Sequence, residues 1–318
     1  MSINTSSLKL TKSVPETLAQ KRFDVVLSNL LPEYSRAQLQ KWIKAGYVTI
    51  NGKRLRPKDK VEAHQVVKVN ATILDLVSLQ PQQIALDIVY EDQDVIIINK
   101  PAGLVTHPGA GNMNNTLLNA LLYHYPDLAK LPRVGIIHRL DEDTSGIIVV
   151  ARNLQAHNKL TKDLQKREIK REYEAIVSGK VIAGGVIKAP IGRHPVKRTH
   201  MAVRAGGKEA ITYYRIIKRF SCHTHIKVFL ETGRTHQIRV HMAHIGYPIV
   251  GDPNYSKLTK ISEKFNPILR QKLEIFKRQA LHAKCLKLHH PTTGKLIAWE
   301  APYPKDFKEL LETLEKYD

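Results

Sequence analysis

The apolar positions repeat with two periods along the chain. RFDVVLSNLL places Phe23, Val26, Leu27 and Leu30 on one face of a helix, and SRAQLQKWIKAG turns Leu39, Trp42 and Ile43 inward on a second. Ser35 reads as the N-cap of that second helix and Gly46 as its stop, with Arg36, Gln40, Lys41 and Lys44 on the outer face. YVTINGKRL predicts a hairpin turning on Asn51 and Gly52, and residues 66–69 a closing strand. Residues 1–20 read as a flexible leader, residues 21–80 as a small helix-and-hairpin unit with its linker, and residues 71–81 as the linker itself.

Beyond the linker, ALDIVYEDQDVIIINKPAG predicts two strands around an acidic turn. NNTLLNALLYHY predicts a helix with Leu117, Leu118, Leu121 and Leu122 inward, and NLQAHNKLTKDLQKR an amphipathic, basic one. EYEAIVSG, HTHIKVFLET and LIAWEAP alternate as strands do, and residues 146–151 form a short apolar run suited to a buried strand. Residues 256–278, rich in lysine, read as a solvated helical insertion. No repeat is visible. Strands mixed with helices, several in hairpin-like pairs, predict an α+β domain over residues 81–318.

Charge narrows the class of partner. The 318 residues carry 50 Lys and Arg against 29 Asp and Glu, a formal balance of +21, which draws polyanions and above all nucleic acid. In residues 21–70 eleven basic and four acidic side chains give 11 − 4 = +7. A basic outer helix face beside a basic hairpin suits an RNA backbone. Aromatics at 6% argue against a dense base-stacking platform. There is no apolar run of membrane-spanning length, and the polar start lacks the apolar middle of a signal peptide, so the expected location is the cytoplasm. Two cysteines, Cys222 and Cys285, are too few for a disulfide framework.

Two clusters carry candidate chemistry. HRLDEDTSG sets Arg139 and three acids, Asp141, Glu142 and Asp143, just before the apolar run. A carboxylate there, held by a guanidinium, stays ionised and can act as nucleophile or base; otherwise it decorates a turn. GRTHQIRVHMAHIGYPIVGDPNY gathers Arg234, His236, Arg239, His241 and His244, without the carboxylate or cysteine spacing of a familiar metal site. HPGAGN, residues 107–112, lacks the Lys-Ser/Thr ending of a phosphate loop. Neither a metal nor a nucleotide cofactor is therefore expected.

Residues 21–70 resemble an S4 RNA-binding domain. HRLDEDTSGIIVVAR, GRTHQIRVHMAHIGYPIVGDPNY, INKPAGLVTHPGAGN, REYEAIVSG and RHPVKRTHMAV together resemble the motifs of the RluA family of pseudouridine synthases, most closely its branch of large-subunit ribosomal enzymes. The resemblance implies a catalytic domain with a mixed, mainly antiparallel sheet flanked by helices and loops. It implies Asp141 as the essential aspartate, Arg139 as the side chain that displaces the target base, and Tyr173 as the active-site tyrosine. Arg234 would be the basic partner of the aspartate, and Ile238 part of the apolar pocket side. Arg36, Lys41, Lys44, Lys53 and Arg54 are the expected RNA contacts of the S4-like unit. Glu142 departs from the lysine many relatives carry there and is expected to face solvent. The implied substrate is 23S ribosomal RNA, free or in a 50S or pre-50S particle, at the helix 69 stem-loop, acted on by a monomer without a cofactor. A non-catalytic RNA-binding assembly factor would leave Asp141, Tyr173 and Arg234 idle. A nucleoside hydrolase would need a second acid at a defined distance.

Overall fold

The computed structural model describes residues 5–31, 34, 36–74, 80–109, 112–197, 199–256 and 265–318. The chain divides into two compact units, residues 1–79 and 80–318.

In the first unit the two expected helices form as α1 (Phe23–Leu30) and α2 (Arg36–Ala45). Phe23, Val26, Leu27, Leu39, Trp42 and Ile43 are buried together against strand residues Val48, Ile50, Val67 and Val69. The expected cap, Ser35, lies outside the described residues. Asn51 and Gly52 both have positive φ, 47° and 76°, and Ile50 and Lys53 exchange main-chain hydrogen bonds of 2.9 Å across them. That is the tight turn the Asn-Gly pair dictates.

Three expectations change in this unit. Beyond the single bridge at Lys53, strand β2 (Val48–Ile50) pairs with β3 (Val66–Leu74) rather than with the residues after the turn. The leader is not a leader from residue 5 on. Thr5–Ser13 is strand β1, antiparallel to β3 along nine residues, so the sheet runs β1-β3-β2. Its Leu8 and Leu10 alternate onto the core, a period too sparse to stand out among the Ser, Thr and Lys of TSSLKLTKS. Strand β3 reaches Leu74, into what reads as linker; residues 75–79 lie outside the described residues.

The second unit is built on a mixed sheet. Its strands are β4 (Ile88–Glu91), β5 (Val95–Lys100), β6 (Ser145–Ala151), β7 (Lys170–Ser178), β8 (Gly185–Lys188), β11 (Ile211–Arg219), β12 (His223–Leu230), β13 (Leu281–His289) and β14 (Leu296–Glu300). Their order is β4-β5-β6-β13-β7-β12-β11-β8, with β14 on β13. All these pairings are antiparallel except β6 with β13. A separate hairpin, β9 (Ile191–Arg193) and β10 (Met201–Val203), stands beside α5 (Gln237–His244). The helices α3 (Leu117–His124), α4 (Leu154–Gln165), α6 (Pro267–Ile275) and α7 (Lys305–Tyr317) complete the unit.

Strands β5 and β6 are buried on both faces, which is why they read as unbroken apolar runs. Ile96, Ile98, Ile148 and Val150 join one core with α3 and α7. Val95, Ile97, Ile147 and Val149 join another with Ala156 and Leu160 of α4 and with Trp299. The lysine-rich segment is more than a solvated insertion: Leu269 and Leu273 of α6 and the following Phe276 sit in the first of these cores. Residues 257–264 of that segment lie outside the described residues. Among the described residues no helix is long and apolar enough to cross a membrane.

Gly146 opens β6 with φ 112°, and a Cβ there would lie 2.2 Å from the carbonyl oxygen of Ala283. Only glycine lets β13 run parallel and this close. The parallel pairing therefore begins directly behind the turn that carries Asp141, Glu142 and Asp143.

Candidate active site

Asp141 stands at the end of an irregular loop, before the fully buried β6. Main-chain carbonyls of that loop are gripped from behind. Thr106 Oγ1 donates to Leu140 O at 2.8 Å, and Arg278 Nη1 to Asp143 O at 3.2 Å. Thr144 N closes the turn on Asp141 O at 3.1 Å, and Gln279 Nε2 meets Thr144 Oγ1 at 3.1 Å. Lys100, at the end of β5, is fully buried. Its ammonium donates to the carbonyls of Pro101, Leu104 and Glu142 at 2.8, 2.7 and 2.8 Å. Burial draws its pKa down to about 7 against the opposing pull of Asp141 and Asp143. Glu142 itself is exposed, as expected.

The loop faces a cavity of about 660 Å³, with His107, Arg139, Tyr173, Arg234, His236, Ile238 and Arg239 among its walls. The Asp141 carboxylate is only 17% exposed, and its Oδ2 lies 3.1 Å from Nη1 of Arg239. Arg239 in turn clasps the buried Asp252 through Nε and Nη2 at 2.7 and 2.9 Å. Burial works against the charge of this guanidinium, but Asp252 and then Asp141 outweigh it and raise its pKa. The arrangement is a cation fixed by one carboxylate and offered to another.

The structure thus assigns differently the partnership expected of Arg234. Arg234 lines the same cavity, but it is exposed and its Nε donates to the main-chain oxygen of Glu209 at 3.0 Å. It precedes α5 on the loop, whereas Arg239 is in the first turn of the helix and points inward. Sequence spacing alone does not separate two arginines five residues apart. The usable signal is Asp252 in GDPNY, since an arginine buried in a helix needs carboxylates.

Tyr173 and Ile238 are both buried in the cavity wall, and burial raises the Tyr173 phenol pKa. Arg139 is exposed at the cavity and long enough to reach outward. His107 and His138 also line it; burial lowers them to about 4 and about 3. His138 Nε2 accepts the N–H of Val149 at 3.2 Å, so the ring is neutral for a structural reason.

In the first unit Lys41, Lys44, Lys53 and Arg54 are exposed, as an RNA contact requires. Arg36 is different: its Nη2 lies 2.8 Å from Oδ2 of the buried Asp24, which also receives Arg22 and Gln40. Burial raises the Asp24 pKa, and these hydrogen bonds bring it below its usual value. Arg36 therefore pins α2 to α1 while its side chain stays half exposed.

Both ring nitrogens of His241 are used internally, on Thr212 Oγ1 and Ala189 O, each at 2.9 Å, which removes it as a metal ligand. Asp92, Asp94 and His290 do gather within ligand distance of one another. His290 Nδ1 accepts the N–H of Thr293, so Nε2 carries the proton toward Asp92 at 2.9 Å. That trio staples two turns together. In HPGAGN, Gly109 and Asn112 pair with each other, and residues 110 and 111 lie outside the described residues.

A shielded aspartate, a tyrosine and a long exposed arginine surround one cavity on the mixed sheet, in a chain whose first unit is small and basic; that combination is the mark of an RNA-modifying enzyme. Residues 94–244 match the RNA pseudouridylate synthase family model and residues 21–67 the S4 domain. The chain belongs to the RNA pseudouridylate synthase family and is an RNA pseudouridine synthase. It is 51% identical over 312 residues to ribosomal large subunit pseudouridine synthase D of Escherichia coli (strain K12), covering 96% of this chain and 94% of that one. It is 52% identical over 301 residues to the protein of the same name from Pseudomonas aeruginosa, covering 95% and 94%. The fold is shared with human RNA pseudouridylate synthase domain containing 4 (TM-score 0.57, 23% identity, 72% and 92% covered) and domain containing 1 (0.55, 23%, 74% and 96%).

Proposed function

We propose that the chain isomerises uridines of the large-subunit (23S) ribosomal RNA, at the helix 69 stem-loop, in the cytoplasm, with Asp141 as the essential catalytic group. The observation that carries the site assignment is the Asp141 carboxylate itself, shielded in the cavity and fixed by an arginine that Asp252 fixes in turn. The relatives named for large-subunit modification, alike along nearly the whole chain, support the substrate class.

The chemistry breaks the N1–C1′ bond, turns the uracil, and bonds C5 to C1′; N1 gains a proton and C5 loses one. Nothing is consumed. The base must leave its stack, which costs a few kcal/mol. Arg139 is long, cationic and exposed at the rim, suited to fill the space the uracil leaves while meeting phosphate. Tyr173 offers an apolar ring and a protonated hydroxyl beside the turning base, and Ile238 closes the apolar wall. Arg239 holds the Asp141 carboxylate in one rotamer. The S4 unit holds the RNA through Lys41, Lys44, Lys53 and Arg54.

The test uses a ribosomal RNA transcript tritiated at uridine C5. The chain should release tritium to water and leave the RNA intact, and Asp141→Asn should release none while binding RNA as tightly. Pseudouridine maps of rRNA from a deletion strain should lose the helix 69 positions; loss at other large-subunit sites instead would move the target to a sister branch.

A further inference from the structure

The catalytic cavity holds a second polar group that the mechanism above leaves unused. His236 precedes α5 in the left-handed region, φ 56°, and lines the cavity beside Asp141. Its Nδ1 lies 2.7 Å from the hydroxyl of Tyr255. That hydroxyl already accepts the main-chain N–H of Met201 at 2.8 Å. A phenol has one proton to give, and Nδ1 is the acceptor in reach. With the phenol donating to Nδ1, the imidazole carries its own proton on Nε2.

Two facts keep this arrangement in place. Burial raises the Tyr255 phenol pKa, so the donor proton stays on oxygen. Burial also lowers the His236 pKa, although Asp141 and Asp252 favour the charged ring and Arg239 and Arg139 oppose it. A neutral ring matters here, because an imidazolium next to Asp141 would compete with Arg239 for the carboxylate. The Tyr255 ring further lies 5.1 Å from the Arg239 guanidinium carbon, so one aromatic side chain orients both neighbours of the catalytic acid.

We infer that His236 presents an uncharged Nε2–H donor to an oxygen of the reacting uridine, and that Tyr255 is the positioning residue that sets its tautomer. The inference rests on the reading of this cavity as the active site. The acceptor is a uracil carbonyl or the ribose 2′-oxygen, both of which a flipped nucleotide brings to Asp141.

The experiment measures single-turnover tritium release by the full chain on the rRNA transcript, alongside the 15N shifts of the His236 ring. His236→Leu should slow turnover about 10²-fold, the cost of removing one preorganised donor, with RNA affinity unchanged. His236→Gln places an amide N–H where Nε2–H was and should stay within about tenfold of the native rate. The ring should show the Nε2–H tautomer in the native chain and a mixture in Tyr255→Phe. Transcripts with 2-thio-, 4-thio- or 2′-deoxyuridine at the target should each be tried, and one should lose its penalty in His236→Leu. Native turnover in His236→Leu with Asp141→Asn dead, an Nδ1–H ring, or a penalty that persists for all three transcripts would overturn the inference. Turnover retained in Asp141→Asn would instead overturn the reading of the cavity.

Discussion

Arg239 Nη1 lies 3.1 Å from Asp141 Oδ2 while the rest of the guanidinium is spent on Asp252. The Asp141 carboxylate is thereby tied to a second, fully buried one through a single cation. The geometry explains why a guanidinium is used: an ammonium cannot clasp one carboxylate bidentately and still present an N–H to another.

Replacing Arg239 should therefore do two kinds of damage. Arg239→Met leaves Asp252 buried without its cation and should destabilise the fold by about 3–5 kcal/mol. Arg239→Lys should keep more stability yet lose at least about tenfold in turnover, since Asp141 loses its fixed rotamer. Arg234→Gln should leave the urea midpoint near native. Urea unfolding and tritium release on the three variants check this; a stable, fully active Arg239→Met would refute it.

Lys100 makes a prediction in the alkaline direction. Its pKa is about 7 in the fold and near 10.5 unfolded, so between these values the unfolded chain binds the extra proton. This group's contribution to stability should rise as pH climbs from 7 to about 10. The gain should be absent in Lys100→Met, which also releases the carbonyl of Glu142 behind Asp141. Denaturant midpoints of both proteins across that range measure the difference.

Acid should act through two buried histidines that each hydrogen-bond a residue of β6. His138 and His282 are buried, with pKa values drawn down by burial to about 3 and about 4. Unfolded, they take up protons below about 6.5. Stability they lend is thus full above 6.5 and falls as pH drops toward 4, by roughly 2 kcal/mol per residue at pH 5. In His282→Gln the slope of melting temperature against pH between 6.5 and 5 should be shallower than in the native chain.

RNA affinity should divide the basic residues of the S4 unit. Alanine at Lys41, Lys44, Lys53 and Arg54 together should weaken binding and flatten its salt dependence, by up to about 0.7–0.9 in slope for each phosphate no longer neutralised. Arg36→Ala should chiefly lower the melting temperature, because the buried Asp24 loses its guanidinium from α2 and keeps only Arg22 and Gln40. Titrations at several salt concentrations separate the two outcomes.

What can be read from the sequence follows physical locality. The helices of the S4 unit, the buried strands β5 and β6 and the Asn51-Gly52 turn are set by neighbours a few residues away, and they stand out. Asp141, Tyr173 and Ile238 are placed by their motifs and do meet in one cavity. The choice of Arg239 over Arg234 depends on which side of a helix start each falls, and on a carboxylate thirteen residues later. The Asp24–Arg36 pair, the β6–β13 pairing and the place of α6 all depend on partners brought together only by folding. In α6 the lysines mask the spacing of Leu269 and Leu273.

Strand β1 has a practical consequence for anyone trimming the chain. A polypeptide started at residue 21, where the S4 match begins, would lack the outer neighbour of β3 and expose a nine-residue row of unsatisfied amides and carbonyls. Such bare rims recruit one another, so the shortened protein should cluster in solution, and any loss of RNA binding it showed would be that of an oligomer.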